Sequence, residues 1–139
     1  MKKIICLVAV ALMIATVAYA QKALKIDAKN LAAMKGTWEG TLTFDVGVNC
    51  PAKLEILNAA VPVQGKMTLW NVPDQISSQL ATTGGTKTWE NPDGKITTQG
   101  SLMWAGDKNF FEVFKKGDKK VDGWFYYQGA RGTFVATKK

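Results

Sequence analysis

Aromatic side chains carry the clearest chemical signal in this sequence. Trp70 and Trp104 close two apolar segments, Phe125 and Tyr127 sit in a third, and Arg131 follows four residues after Tyr127. Aromatic walls beside one guanidinium suit a flat or amphipathic ligand that bears a carboxylate, because guanidinium grips a carboxylate at two points. Trp70, Trp104, Phe125, Tyr127 and Arg131 are therefore the candidate ligand-binding residues. Two plainer readings stand beside this one. Such aromatics are also the usual bulk filling of small barrels, and an arginine in a short turn is ordinary on a solvated surface.

Catalysis has little to work with. The chain has no histidine, which removes Ser-His and Cys-His arrangements and the commonest zinc ligand together. Ser77 and Ser78 offer hydroxyls without a base to activate them. Gly84-Gly85 is followed by no helical pattern, so it does not read as a phosphate-binding loop. No carboxylate pair stands at a recognisable spacing. The sequence thus assigns no catalytic residue, no metal ligand and no cofactor, and it reads as a binding protein rather than an enzyme. Glu112, in Phe110-Phe111-Glu112-Val113-Phe114, depends on strand parity. Turned inward it would be a buried acid with a raised pKa. Outward is the preferred reading, because burying an unpaired carboxylate is costly.

The ends and the charge set the compartment. Lys2 and Lys3, the apolar run Ile4 to Ala18 and the small-residue motif Ala18-Tyr19-Ala20 form the three regions of a secretory signal peptide, residues 1–20. No second apolar run long enough to span a membrane follows. A periplasmic or secreted protein beginning at Gln21 is expected. The 18 basic and 11 acidic residues give a net charge of +7, or +5 without Lys2 and Lys3. The one basic cluster, Lys115 to Lys120, reads as a solvated hairpin tip, and no nucleic-acid partner is expected. Cys50 is the one cysteine beyond the leader. No internal disulfide is therefore available, and the thiol is either shielded or paired between chains.

Segments rich in Thr, Val, Phe, Trp and Tyr alternate with Gly, Asn, Asp and Pro breaks, which is an all-β pattern. From Trp38 to Val46 apolar and polar residues alternate strictly. Eight strands are expected over about 37–46, 52–59, 64–72, 86–91, 95–104, 108–116, 120–128 and 131–138. Asn91-Pro92-Asp93-Gly94, Lys116-Gly117-Asp118-Lys119 and Gln128 to Gly132 read as turns. Pro73 to Thr86 is either a long loop or holds an extra strand near Ile76 to Ala81. Before the strands, Asp27 is placed to cap a short helix carrying Leu31 and Met34 within residues 21–36. The reading is an antiparallel up-and-down eight-stranded barrel over residues 37–139, with a short N-terminal helix. Closure removes the sheet edges. A two-sheet sandwich is the rival.

Gly36-Thr37-Trp38 opening the first strand resembles the G-x-W start of the lipocalins and related small calycin-type barrels. The closing segment Gly132 to Lys138 is similar to the last strand of small exported lipocalin-like domains. The resemblance implies a barrel that carries a small ligand. Avidin-type proteins share the G-T-W start, but Glu39-Gly40 here lacks the asparagine that family uses for biotin. Lipocalins also place an arginine near the end of the last strand over the tryptophan. In this chain Arg131 begins that strand, about seven residues or roughly 20 Å away. Lys138 is the cation placed to cover Trp38.

Alternate loops of such a barrel share an end. Trp38 and the entering helix crowd one end. The other collects Gly47 to Pro51, Pro73 to Thr86, Ala105 to Lys108 and Gln128 to Arg131, and any pocket is expected there. The expected function is binding of a small apolar, amphipathic or carboxylate-bearing ligand. The alternative is an envelope protein-interaction module, or an inhibitor of a secreted enzyme, with no small-molecule ligand. Either reading allows a monomer or a dimer.

Overall fold

The computed structural model describes residues 24–80, 82, 85–106 and 109–139. The leader assigned to residues 1–20 and the new start at Gln21 lie outside the described residues, as does Gly84. The strands are β1 (Gly36–Phe44), β2 (Asn49–Ile56), β3 (Val63–Leu69), β4 (Lys87–Ile96), β5 (Leu102–Ala105), β6 (Asn109–Gly117), β7 (Lys120–Tyr127) and β8 (Ala130–Lys138). They form one closed barrel in sequential order, with every neighbour antiparallel. Pairing of β8 with β1 closes the sheet, so the sandwich is excluded. Trp38, Leu42 and Phe44 of β1 point inward and are buried, while Glu39, Thr41 and Thr43 face solvent. The alternation ends at Phe44. Val46 is 70% exposed in the following turn, where the Phe44 carbonyl accepts from Gly47 N–H.

Two expectations about local structure are corrected. The N-terminal helix is only a 3-10 turn, Leu31–Ala33. Asp27 Oδ1 does accept from the N–H groups of Lys29 and Asn30, but it caps a turn that does not propagate. Ile26, Leu31 and Met34 are nevertheless fully buried. They plug the end of the barrel, held by Ile26 N–H to the Gly100 carbonyl at 2.8 Å and Trp38 Nε1 to the Met34 carbonyl at 2.8 Å.

The second correction concerns Asn91-Pro92-Asp93-Gly94, which is not a chain reversal. β4 runs through it to Ile96, opposite β3, with Val63 facing Gly94 and Gly65 facing Asn91. Two residues of β4 thus stand against one of β3, making a bulge. Pro92 lacks an N–H and is tolerated at such an unpaired position, and Asp93 N–H turns onto Asn91 Oδ1. The reversal falls at Thr97–Ser101, where Gly100 supplies a φ of +83° and Thr97 N–H donates to the Ser101 carbonyl at 2.9 Å. Moving the turn by six residues keeps it at the same end of the barrel, so the strand count survives.

The Pro73 to Thr86 segment contains no extra strand among the described residues. It holds one helical turn, α1 (Asp74–Ser77). Val72, Ile76 and Leu80 belong to the continuous core, so this segment folds down over the end expected to be open. The turn between β7 and β8 is only Gln128-Gly129. Both residues have positive φ, the geometry of a two-residue hairpin loop that matches strand twist.

Candidate functional site

The weak seam of the barrel lies between β4 and β5. β5 has four residues, and its pairing with β4 is confined to Lys95 with Met103 and Ile96 with Leu102. After Ala105 the chain turns at once, with Gly106 N–H bonded to the Asn109 carbonyl. Among the described residues, the first half of β4 is therefore hydrogen-bonded on its β3 side alone. Behind this unzipped stretch lies an unsealed cavity of about 80 Å³, bounded by β3 to β7 with Leu54 of β2 behind.

Its walls are aromatic. Trp89 of β4 lies 5.2 Å from Tyr127 and 5.5 Å from Phe125, centroid to centroid. Trp104 stacks on Phe111 at 5.9 Å with 29° between the planes. Met67 and Leu54 complete the apolar lining, with Asn91 and Asn109 as its amides. Trp104 fits because two glycines make a flat bed for it. A Cβ on Gly65 would come within 2.7 Å of the indole, and one on Gly94 closer still. Its Nε1 donates to the Val63 carbonyl at 2.9 Å. Trp38 Nε1 is likewise satisfied. Trp89 Nε1 is buried and has no hydrogen-bond partner among the described residues.

Lys87 stands on the same inward-facing row as Trp89. Its Nζ is 5.7 Å from the Trp89 ring centre and 5.8 Å from that of Tyr127. The ion pairs among the described residues, Lys53–Glu55, Lys66–Glu90 and Lys139–Glu39, leave it out. An ammonium over two aromatic faces, beside an indole N–H that has no partner among the described residues, offers an anionic or acceptor-bearing group two donors at the border of an apolar cavity.

Of the five residues nominated from sequence, Trp104, Phe125 and Tyr127 line this cavity. Trp70 and Arg131 do not. Arg131 falls on the outward parity of β8, and Trp70 lies just past the end of β3. Trp70 follows inward Leu69 and meets Lys53 Nζ at 5.4 Å. Arg131 pairs with Tyr126 and lies over that ring on the outside of the barrel, 5.8 Å from its centre. Trp89, Met67, Phe111 and Lys87 were missed. A sequence signal existed for Trp89, which sits at two-residue spacing between Lys87 and Asn91. Reading the next residues as a turn hid the strand that carries it.

The other residues of interest are structural. Phe111 and Val113 face inward, so Glu112 faces outward, where Ser101 Oγ donates to its carboxylate. Cys50 is 1% exposed, and burial pushes its thiol from 9.0 up to about 11. It is the shielded thiol of the two alternatives. Among the described residues no cluster of His, Cys, Asp or Glu could hold a metal, and no helix is long and apolar enough to cross a membrane.

No protein-family model, curated protein or solved structure matches the chain.

Proposed function

We propose that this chain is an exported, lipocalin-like binding protein that takes a small amphipathic ligand through the β4–β5 seam, not through an end of the barrel. The ligand's apolar part lies against Trp89, Trp104, Phe125 and Tyr127, and its anionic or acceptor end meets Lys87 and Trp89 Nε1. Trp89 carries the reading. A buried indole N–H without a partner costs free energy that a bound acceptor would recover, and this one stands in the wall of the aromatic cavity.

Size limits the ligand. At about 80 Å³ the cavity is smaller than the ~150 Å³ apolar cavity that accepts benzene in an engineered protein. It suits a chain end or the edge of one ring, with the remainder emerging at the seam. The same small volume favours a second reading, a protein-interaction module with a filled lumen. Titration with 4-phenylbutyrate and 4-phenylbutanol, followed by tryptophan fluorescence, separates the two. Saturable quenching, tighter for the carboxylate, supports the ligand-binding reading. No quenching by either compound would leave the interaction module.

A further inference from the structure

One flank of β4 is an open ladder beside the cavity. Lys87 to Asn91 pair with Leu69 to Gly65 of β3. On the opposite flank β5 reaches only Lys95 and Ile96. Gly106 N–H to the Asn109 carbonyl, at 2.8 Å, then turns the chain away into β6. Among the described residues no strand pairs with that flank of Lys87 to Asn91. Alternate residues there direct N–H and C=O away from β3, and such an edge is a template for another strand. Pro92, which has no N–H, and the bulge at Asn91 to Gly94 end the template. The five residues left span roughly 17 Å. That admits one short strand and blunts open-ended association.

A strand added there takes the place that β5 leaves. Paired residues share a face, so the added residue opposite Trp89 turns inward, toward the aromatic cavity. Those opposite exposed Thr88 and Glu90 turn to solvent. Charge sets the direction. Glu90 is paired with Lys66 on the outer face at 4.0 Å. Asp93 is exposed at the bulge end of the free stretch, and Lys95 lies beyond it, where β5 already pairs. Lys87 stands at the other end, its ammonium over Trp89 and Tyr127. A chain end bearing a carboxylate is drawn to Lys87 and kept from Asp93. The added strand is then antiparallel to β4, with its C-terminus at the Lys87 end.

We propose that the ligand of the seam is the C-terminal end of an extended peptide. It adds a strand to Lys87–Asn91 of β4, places its last side chain in the cavity opposite Trp89, and brings its carboxylate to Lys87 Nζ and Trp89 Nε1. A cavity of about 80 Å³ suits an aliphatic last residue better than an aromatic one. Main-chain pairing supplies affinity, and the cavity and Lys87 supply selectivity for a chain end. The proposal rests on the reading of the seam as a ligand site and names the class of ligand.

Tryptophan fluorescence titrations of the purified protein compare 4-phenylbutyrate with acetylated pentapeptides, Thr-Ser-Thr-Ser followed by Ala, Val, Leu or Phe. Saturable binding is expected for the Val and Leu peptides, and weaker binding for Ala and Phe. Amidation of the C-terminus should weaken the better peptide about fivefold or more, and Lys87→Met should erase that difference. N-methylation of the third or the fourth peptide residue tests the ladder, because successive N–H groups of a strand face opposite ways. One of the two should weaken binding about tenfold or more, and the other should leave it nearly unchanged. If 4-phenylbutyrate binds and no peptide does, if the two N-methylations act equally, or if acid and amide bind alike, the peptide proposal is overturned and the seam remains a small-molecule site. Binding by neither 4-phenylbutyrate nor any peptide would overturn both readings.

Discussion

Trp89 and Tyr127 approach to 5.2 Å across the lumen from β4 and β7, two strands that are not neighbours in the sheet. Their contact fills the middle of the barrel where the β4–β5 seam is unzipped. It makes the seam a bordered cleft and not a breach into an empty lumen. The same contact brings Lys87 within reach of both rings.

The plugged end should dominate stability. Trp38 is fully buried, bonded through Nε1 to Met34, and overlain by Lys138 Nζ at 5.8 Å. Trp38→Ala is expected to cost about 3–5 kcal/mol in urea unfolding. Lys138→Met should cost under about 1.5 kcal/mol, because Lys138 is only partly buried and the Ala33 carbonyl it serves is at the surface.

Gly94 is held free of a side chain by Trp104. Gly94→Ala places a methyl against the indole and within 2.6 Å of the Val63 carbonyl, and should destabilise by about 1–3 kcal/mol. In Gly94→Ala with Trp104→Phe, the smaller ring removes the indole clash and part of that cost should return. The coupling would show in a double-mutant cycle.

Cys50 gives a pH signature. Its thiol is raised from 9.0 to about 11 in the folded chain, so the unfolded chain loses the proton first as pH rises. The stability associated with the protonated thiol is intact below pH 9 and is lost as pH climbs through about 11. Denaturant midpoints measured over that range should fall less steeply in Cys50→Ala. At neutral pH the native thiol should resist a thiol reagent that labels the unfolded chain at once.

The barrel was legible because its evidence is local. Strict alternation in β1, a turn within Gln128 to Gly132 and the lysine placed opposite Trp38 all follow from period and pairing. Residues 91–94 misled, since Asn-Pro-Asp-Gly encodes a bulge as readily as a reversal. Only pairing with β3 decides between them. Arg131 and Trp70 stand apart from the cavity for another reason. Chemistry nominated them, but a one-residue change of parity puts a side chain on the opposite face of a strand. The capping of the far end by Ile76 and Leu80 depends on tertiary packing that no short-range pattern announces.

Ligand charge should matter at Lys87. Lys87→Met is expected to weaken 4-phenylbutyrate about fivefold or more, on the order of 1 kcal/mol, while leaving 4-phenylbutanol nearly unchanged. Arg131→Met, on the outer wall, should alter neither affinity. Equal losses for both compounds in Lys87→Met would point to packing, not charge recognition.

The central claim rests on one indole N–H without a partner among the described residues, and nitrogen–proton correlation spectra of the five tryptophans test it most directly. Trp38 and Trp104 Nε1–H are already bonded to Met34 and Val63, so their resonances should move little when 4-phenylbutyrate is added. The Trp89 Nε1–H resonance should move saturably and farthest, and should vanish in Trp89→Phe. A titration in which Trp89 stays still, or in which only exposed Trp124 responds, would contradict a ligand site at the β4–β5 seam.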